Sequence, residues 1–293
     1  MKKLLMMINP VTAKNMITPH LVDVVDIFEK GGYDVTVHVT KHRNDPGEMI
    51  RAVGSDYDTV VAVGGDGTLN ETVGGVLALK DKPKIGYIPA GTTNDFATSW
   101  GIPKKPIDAA RSIVESDPVP TDVSLFCGRP FIYVAAFGAF TEVSYQTPQQ
   151  LKQNFRRTAY IMECIKSLPT IRPWKMHLEY DGETVEGEFL YGMISNTRRV
   201  GGFDLKMKDD ISITDGLMEV ILIKKPDKPA DNAKMISAVL AQDTHSGYVS
   251  FDHAKSIRFH TDENMPWTVD GEDAGSTTDG TVEILEHAVE LFM

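Results

Sequence analysis

The sequence predicts a two-domain protein, an α/β domain with a parallel sheet followed by a β-rich second domain. Three observations lead there. The first third alternates short apolar strands with segments of helical period, a pattern that calls for a parallel sheet covered on both faces. After Asp117-Pro118 the pattern changes to alternating runs joined by tight-turn dipeptides, the signature of hairpins. And 293 residues are more than one core usually organises. The boundary is expected at Thr121, giving an α/β domain over 1–121 and a β-rich domain with inserted helices over 122–293.

Each element follows in order. Residues 3–8 form a strand, and 9–13 are expected as a loop. A helix over 18–30 carries Leu21, Val24, Val25 and Phe28 on one face and is stopped by Gly31-Gly32. A second strand spans 33–39 and a short helix 46–53. A fully apolar strand over 59–63 runs into Gly64–Gly67 and a helix over 68–79. A fourth strand covers 84–88, a loop 89–94, and a helix opened by proline 106–115. In the second domain, 121–126 and 131–136 pair around Cys127-Gly128-Arg129-Pro130. Residues 175–180 and 184–194 pair around Asp181-Gly182. Further strands are expected at 217–223, 255–260, 267–270 and 281–285, and helices at 148–168 and 229–242.

Composition excludes several classes. The formal charge of −11, from 30 basic and 41 acidic residues, argues against nucleic acid as a partner, because duplex binding rests on a basic footprint. The longest apolar run, 131–140, is far short of the roughly 20 residues that span a bilayer. The apolar start at Leu4 ends at Asn9-Pro10, too soon for a secretory leader, so a cytoplasmic location is expected. Cys127 and Cys164 make no disulfide framework and no zinc spacing.

The most informative segment is Val63-Gly64-Gly65-Asp66-Gly67-Thr68-Leu69-Asn70. Glycines let the backbone approach a phosphate, and the helix that follows offers free N–H groups and positive partial charge. No lysine follows as a Walker loop requires, and Asn70 stands where a dinucleotide fingerprint needs glycine. Asp66 inside an anion-binding loop would repel phosphate by several kcal/mol at an effective dielectric near 20. A divalent cation turns that repulsion into bridging. The segments Asn9-Pro10-Val11-Thr12-Ala13 and Pro89-Ala90-Gly91-Thr92-Thr93-Asn94-Asp95 leave the same sheet edge, where ligands of such sheets bind.

Gly64-Gly65-Asp66-Gly67-Thr68, together with Pro89-Ala90-Gly91-Thr92-Thr93-Asn94-Asp95-Phe96-Ala97, closely resembles the diacylglycerol kinase catalytic family in its soluble bacterial branch. The likeness continues through Asp122, Asp215-Gly216-Leu217-Met218-Glu219-Val220 and Val269-Asp270-Gly271-Glu272. The resemblance implies an ATP- and Mg2+-dependent kinase acting on a lipid hydroxyl, most simply diacylglycerol, with an ATP-binding α/β domain over 1–121, a β-sandwich domain over 122–293 and ATP in the cleft between them. It implies ATP contacts from Asn9, Pro10, Val11, Thr12, Ala13, Thr40, Gly64, Gly65, Asp66, Gly67, Thr68, Leu69, Asn70 and Thr92 or Thr93. Asp66, Asp95 and Asp122 would form the acidic set around catalytic magnesium. Asp215, with carbonyls of Ser212 and Leu217, would hold a second, structural ion. Asp270 and Glu272 would be the active-site carboxylates, one of them the proton acceptor. One departure stands out: the family reads Asn-Pro-x-Ser-Gly, and here Thr12-Ala13 fill the last two places, keeping a hydroxyl but losing φ freedom.

A lipid kinase without a membrane span must work at an interface. The stretch 151–175 holds Lys152, Arg156, Arg157, Lys166, Arg172 and Lys175 against Glu163 alone, with Phe155, Tyr160 and Trp174 among them. That pattern suits transient peripheral contact with an anionic surface and equally a solvated helix face. A homodimer is left open. Other readings are an NAD kinase, which shares the Gly-Gly-Asp-Gly loop, a kinase for a sphingoid base or another glycerolipid, and a lipid-binding protein without catalysis.

Overall fold

The structure, a computed structural model, describes residues 1–139, 165–207 and 211–293. It divides into two compact units, one made of 1–123 with 286–293 and the other of 124–285.

The first unit begins with β1 (Lys2–Ile8), α1 (Pro10–Ile17) and α2 (Leu21–Lys30), followed by β2 (Tyr33–Val39) and α3 (Asp45–Val53). Next come β3 (Thr59–Gly64), α4 (Asp66–Leu77), β4 (Lys84–Pro89), α5 (Asp95–Trp100), α6 (Pro106–Glu115) and β5 (Val119–Phe126), which runs on into the second unit. The first four strands pair in parallel in the order β4-β3-β1-β2. Both faces of β1 are buried, as expected of a strand with helices above and below. Leu4, Met6 and Ile8 share a core with Ala13 and Ile17 of α1, Val24 and Phe28 of α2, and Ala109, Ala110 and Ile113 of α6. On the other side, α3 packs on α4, which lies along β3 and β4.

Two local results differ from the sequence reading. Residues 10–17 are helical where a loop was expected, because Asn9 accepts the Val11 N–H at 3.0 Å as an N-cap and Pro10 sits in the first turn. And α4 starts at Asp66, two residues early, with Gly65 as its N-cap.

The second unit contains β6 (Arg129–Phe131), β7 (Val134–Gly138), β8 (Trp174–Tyr180), β9 (Glu183–Ser195), the small ribbon β10 (Arg199–Val200) and β11 (Phe203–Asp204), and β12 (Met218–Lys224). A helix, Asn232–Ala241, precedes β13 (Val249–Ala254), β14 (Ser256–Val269) and β15 (Glu272–Leu291). Its strands pair antiparallel in the order β13-β12-β9-β7-β14-β15, with β8 between β9 and β14. Antiparallel pairing therefore outweighs parallel pairing over the described residues taken together. Three two-residue turns, Cys127-Gly128, Asp181-Gly182 and Asp270-Gly271, have positive φ at both positions, as type I′ hairpins require. The core is aromatic, with Trp267 fully buried among Phe126, Phe137 and Phe259 at centroid distances of 4.8, 5.0 and 4.7 Å.

Here too the sequence reading needs correction. The strand expected over 131–136 breaks after Phe131 and resumes at Val134. The segments expected at 255–260 and 267–270 are one strand, β14, with register shifts flanking Pro266, where a proline cannot donate to the ladder. The strand expected at 281–285 is part of the 20-residue β15. Its last residues, 286–293, belong to the first unit, where Leu291 pairs with Ile85 and the Phe292 N–H reaches the Ile85 carbonyl at 2.9 Å. The domain expected over 122–293 therefore gives up its end. The helix expected over 148–168 falls mostly on residues outside the described ones.

Candidate active site

In the first unit the carboxyl ends of β1, β3 and β4 bring three of the singled-out segments together. The Asn9 side chain donates to the Thr68 hydroxyl at 3.2 Å, and the Ala90 N–H donates to the Gly64 carbonyl at 2.7 Å. Gly91 must be glycine for steric reasons. A Cβ there would meet the Cα of Gly65 at 2.5 Å and Asn94 Oδ1 at 2.8 Å, so the two loops touch backbone to backbone. Gly67 is exposed, with open space around its Cα. No side chain caps α4; the Thr68 N–H is taken by the Gly65 carbonyl at 2.9 Å, which leaves the Asp66 and Gly67 amides at the helix start as those an anion would meet. Thr12 and Thr92 are exposed, Thr93 is half-buried, and Thr40 is buried with its N–H on the Ile8 carbonyl at 2.9 Å. Leu69 and Ala13 point into the core and Val11 into solvent, so their part in any ligand contact is through the backbone. Asn70 Oδ1 is buried without a partner.

Asp66 is the centre of this arrangement. Its carboxylate accepts the Asp95 N–H at 3.0 Å and the Tyr87 hydroxyl at 3.4 Å. It therefore caps α5 from another element. Tyr87 also reaches Asn94 Oδ1 at 3.3 Å, and Asn94 closes the loop by bonding Gly91 through both its amide and its carbonyl oxygen. Asn94 adopts φ 51°, which asparagine tolerates better than most residues. Burial pushes the Asp66 carboxyl up to about 6; the N–H groups of Asp95 and Phe96 and the Tyr87 hydroxyl oppose the rise, and the Asp95 charge adds to it. Two carboxylates at one glycine-lined edge, one of them reluctant to ionise, fit a divalent cation shared with a phosphate.

Asp122 does not join them. Its Oδ1 accepts the His287 N–H at 2.7 Å, because β5 carries it to the returning C-terminal segment. Among the described residues no three acidic, histidine or cysteine side chains converge as a ready cation cage. Of the three aspartates expected around catalytic magnesium, Asp66 and Asp95 are joined by a hydrogen bond, and Asp122 bonds His287.

In the second unit Asp270 and Glu272 flank the turn between β14 and β15 and differ sharply. The Asp270 carboxylate accepts three successive N–H groups, from Ile132 at 3.2 Å, Tyr133 at 3.1 Å and Val134 at 2.9 Å. It fastens the break between β6 and β7. Glu272 is about one-third exposed and pairs with Arg129 at 2.9 Å, whose other nitrogen holds the Asp273 carbonyl. The Asp215 turn closes on itself, with the Leu217 N–H on Asp215 Oδ1 at 3.1 Å and Ser212 Oγ 3.2 Å from the Thr214 hydroxyl. Near it lies Glu219, to which the sequence reading gave no role; it is fully buried, and the backbone N–H groups of Thr197 and of Glu219 itself bond its carboxylate. Burial first, and the Asp215 charge after it, push this carboxyl up to about 9. A charged residue inside the apolar run of β12 was the available signal. Tyr87 and Arg129 were also missed, and nothing local marks them; Asn94 was in the singled-out loop but without a role of its own. Lys166 is exposed; Lys152, Arg156 and Arg157 lie outside the described residues.

Comparison with known proteins places the chain. Residues 3–126 match the diacylglycerol kinase catalytic domain, and residues 135–293 match the YegS C-terminal NAD kinase beta sandwich-like domain. A diacylglycerol kinase of Bacillus subtilis (strain 168) is 32% identical over 98% of this chain and 95% of its own. One from Staphylococcus carnosus (strain TM300) is 32% identical over 95% and 91%. Among solved structures, a diacylglycerol kinase from Bacillus anthracis str. Sterne covers 99% of this chain and 96% of its own with a TM-score of 0.77 at 21% identity, a likeness of fold. With both halves matched and such identity along nearly its whole length, the chain belongs to the diacylglycerol kinase family.

Proposed function

We propose that this protein is an ATP-dependent lipid kinase that transfers the γ-phosphate of ATP to the hydroxyl of a lipid, with diacylglycerol the acceptor and phosphatidic acid the product. The observation that carries it is the Asp66–Asp95 pair at a glycine-lined edge with uncapped α4 amides, in a chain whose relatives are diacylglycerol kinases.

In this reading the α4 amides, Asn9, Thr12, Thr68 and the Gly91–Thr93 loop bind and orient the triphosphate, and Thr40 lines its far side. Asp66 and Asp95 would hold magnesium, which would supply positive charge to offset that of the phosphates. Glu272 takes the proton of the acceptor hydroxyl at a carboxylate oxygen. Asp270 is the poorer base, because three N–H donors favour its ionised form and occupy its oxygens. It acts instead by holding the β6–β7 break and the turn that carries Glu272. Asp122 contributes by tethering the C-terminal segment. The basic stretch around Lys152, Arg156, Arg157 and Lys166 would bring the enzyme to an anionic membrane surface. No helix among the described residues is long and apolar enough to cross a membrane.

The test is one assay with labelled ATP against a panel of diacylglycerol, monoacylglycerol, a sphingoid base and NAD, with magnesium and with chelator. Magnesium-dependent labelling of diacylglycerol above the rest is expected. Labelling of NAD alone would replace this reading with a nucleotide kinase.

A further inference from the structure

Tyr87 stands between two groups at the glycine edge and has a single hydrogen to offer them. Its ring is fully buried on β4 and packs edge-on against Phe96, with centroids 6.5 Å apart. The hydroxyl oxygen is therefore held in place, and only its hydrogen is free to turn. That oxygen lies 3.4 Å from Asp66 Oδ1 and 3.3 Å from Asn94 Oδ1. When Asp66 is ionised, both neighbours are acceptors. Asn94 cannot turn its amide around, because Oδ1 accepts the Gly91 N–H and Nδ2 donates to the Gly91 carbonyl, each at 2.9 Å. A phenol donates one hydrogen, so a bond to Asp66 deprives Asn94, and the reverse. Both separations exceed the about 2.5–3.0 Å of a fully formed O–H···O bond, as an oxygen placed between two competing acceptors should show.

We propose that Tyr87 is a positioning residue that couples metal to nucleotide. Its hydrogen goes to Asp66 when that carboxylate stands alone, and to Asn94 when a cation offsets the carboxylate's charge. A hydrogen bond to an ionised acceptor is about twice as strong as one to a neutral acceptor. Without metal, Asp66 therefore takes the hydrogen, and the Asn94 side chain holds its loop through Gly91. With the charge offset, the hydrogen turns to Asn94 and adds a tie to the segment that carries Thr92 and Thr93. Gly91 of that segment also touches Gly65 across the edge. The loop assigned to the triphosphate is thus firmer when metal is present, over and above any bridge between ion and phosphate, and the coupling acts equally in both directions. This rests on the reading that Asp66 holds magnesium beside the triphosphate, and deepens it by one residue.

Tyr87→Phe removes the hydroxyl and keeps the ring. ATP affinity of the full-length protein is measured by calorimetry without lipid, once with MgCl2 and once with chelator, alongside thermal unfolding. The measurement is made at about pH 8, where Asp66 is ionised. In the parent, magnesium is expected to tighten ATP binding. In Tyr87→Phe that tightening, read as the ratio of the two dissociation constants, is expected to shrink about 3–10-fold, the usual contribution of one neutral hydrogen bond. A hydroxyl that served stability alone would lower the melting temperature when removed and leave the ratio at its parental value. An unchanged or larger ratio therefore overturns the proposal and leaves the Asp66 reading intact. Parental ATP affinity that ignores magnesium overturns the Asp66 reading itself, and the proposal with it. Should Tyr87→Phe not fold, hydrogen exchange of the parent at saturating ATP reads the same link. Slower exchange across 91–94 with magnesium than with chelator supports the coupling, and equal exchange overturns it.

Discussion

At the scale of single residues, the side chains that matter most differ in what already occupies their oxygens. Glu272 has one exchangeable ion pair, whereas Asp270 is committed to three backbone donors. Glu272→Gln should therefore lower kcat by about 10²–10⁴-fold, the usual worth of a general base, with nucleotide affinity and melting temperature near the parent's. Asp270→Ala should leave those N–H groups unsatisfied at about 1–3 kcal/mol each in buried settings, and calorimetry should show lost stability together with lost activity. Equal stability of the two variants would contradict that division. Asp66 gives a pH signature. Its folded pKa of about 6 lies above the ordinary 3.8, so its contribution to stability is fully present below pH 3.8 and is lost as pH rises through about 6. In chelator, the stability difference between the parent and Asp66→Asn should therefore shift against the parent between those two values and stay constant above them.

At the scale of elements, the turns were legible and the breaks were not. Asp181-Gly182 announces its hairpin, because only residues tolerating positive φ fit a two-residue turn. The break between Phe131 and Val134 left no local mark, since it is imposed by a carboxylate 138 residues away in sequence. The helix at Pro10 carries its own local signals, the Asn9 cap and a proline in the first turn. The contact of the β3–α4 and β4–α5 loops gives its own prediction. Gly91→Ala places a methyl against Gly65, prising apart two loops assigned to the triphosphate. Nucleotide affinity should fall at least tenfold while urea stability changes by only about 1–3 kcal/mol, as for other overpacked sites.

At the scale of the whole molecule, the chain returns to the unit it started from. Val289, Leu291 and Phe292 are buried in the first unit, and burying each such side chain is worth about 1.5–3 kcal/mol. Removing residues 286–293 should therefore cost about 4–9 kcal/mol, much of the stability of an ordinary domain. Limited proteolysis of the truncated protein should cut first within 1–123. Cleavage at parental rates would show that the segment is dispensable. The sequence by itself determined the two-part architecture, the alternation of strand and helix, the glycine edge and the family, because all of these are written in short-range periodicity and contiguous motifs. Only the tertiary structure decided that Asp66 caps α5, that Asp122 bonds the C-terminal segment, that Asp270 and Glu272 have unlike partners, and that Glu219 is buried. Those outcomes depend on which groups distant in sequence reach one another's hydrogen-bonding atoms, and a linear pattern carries no record of that.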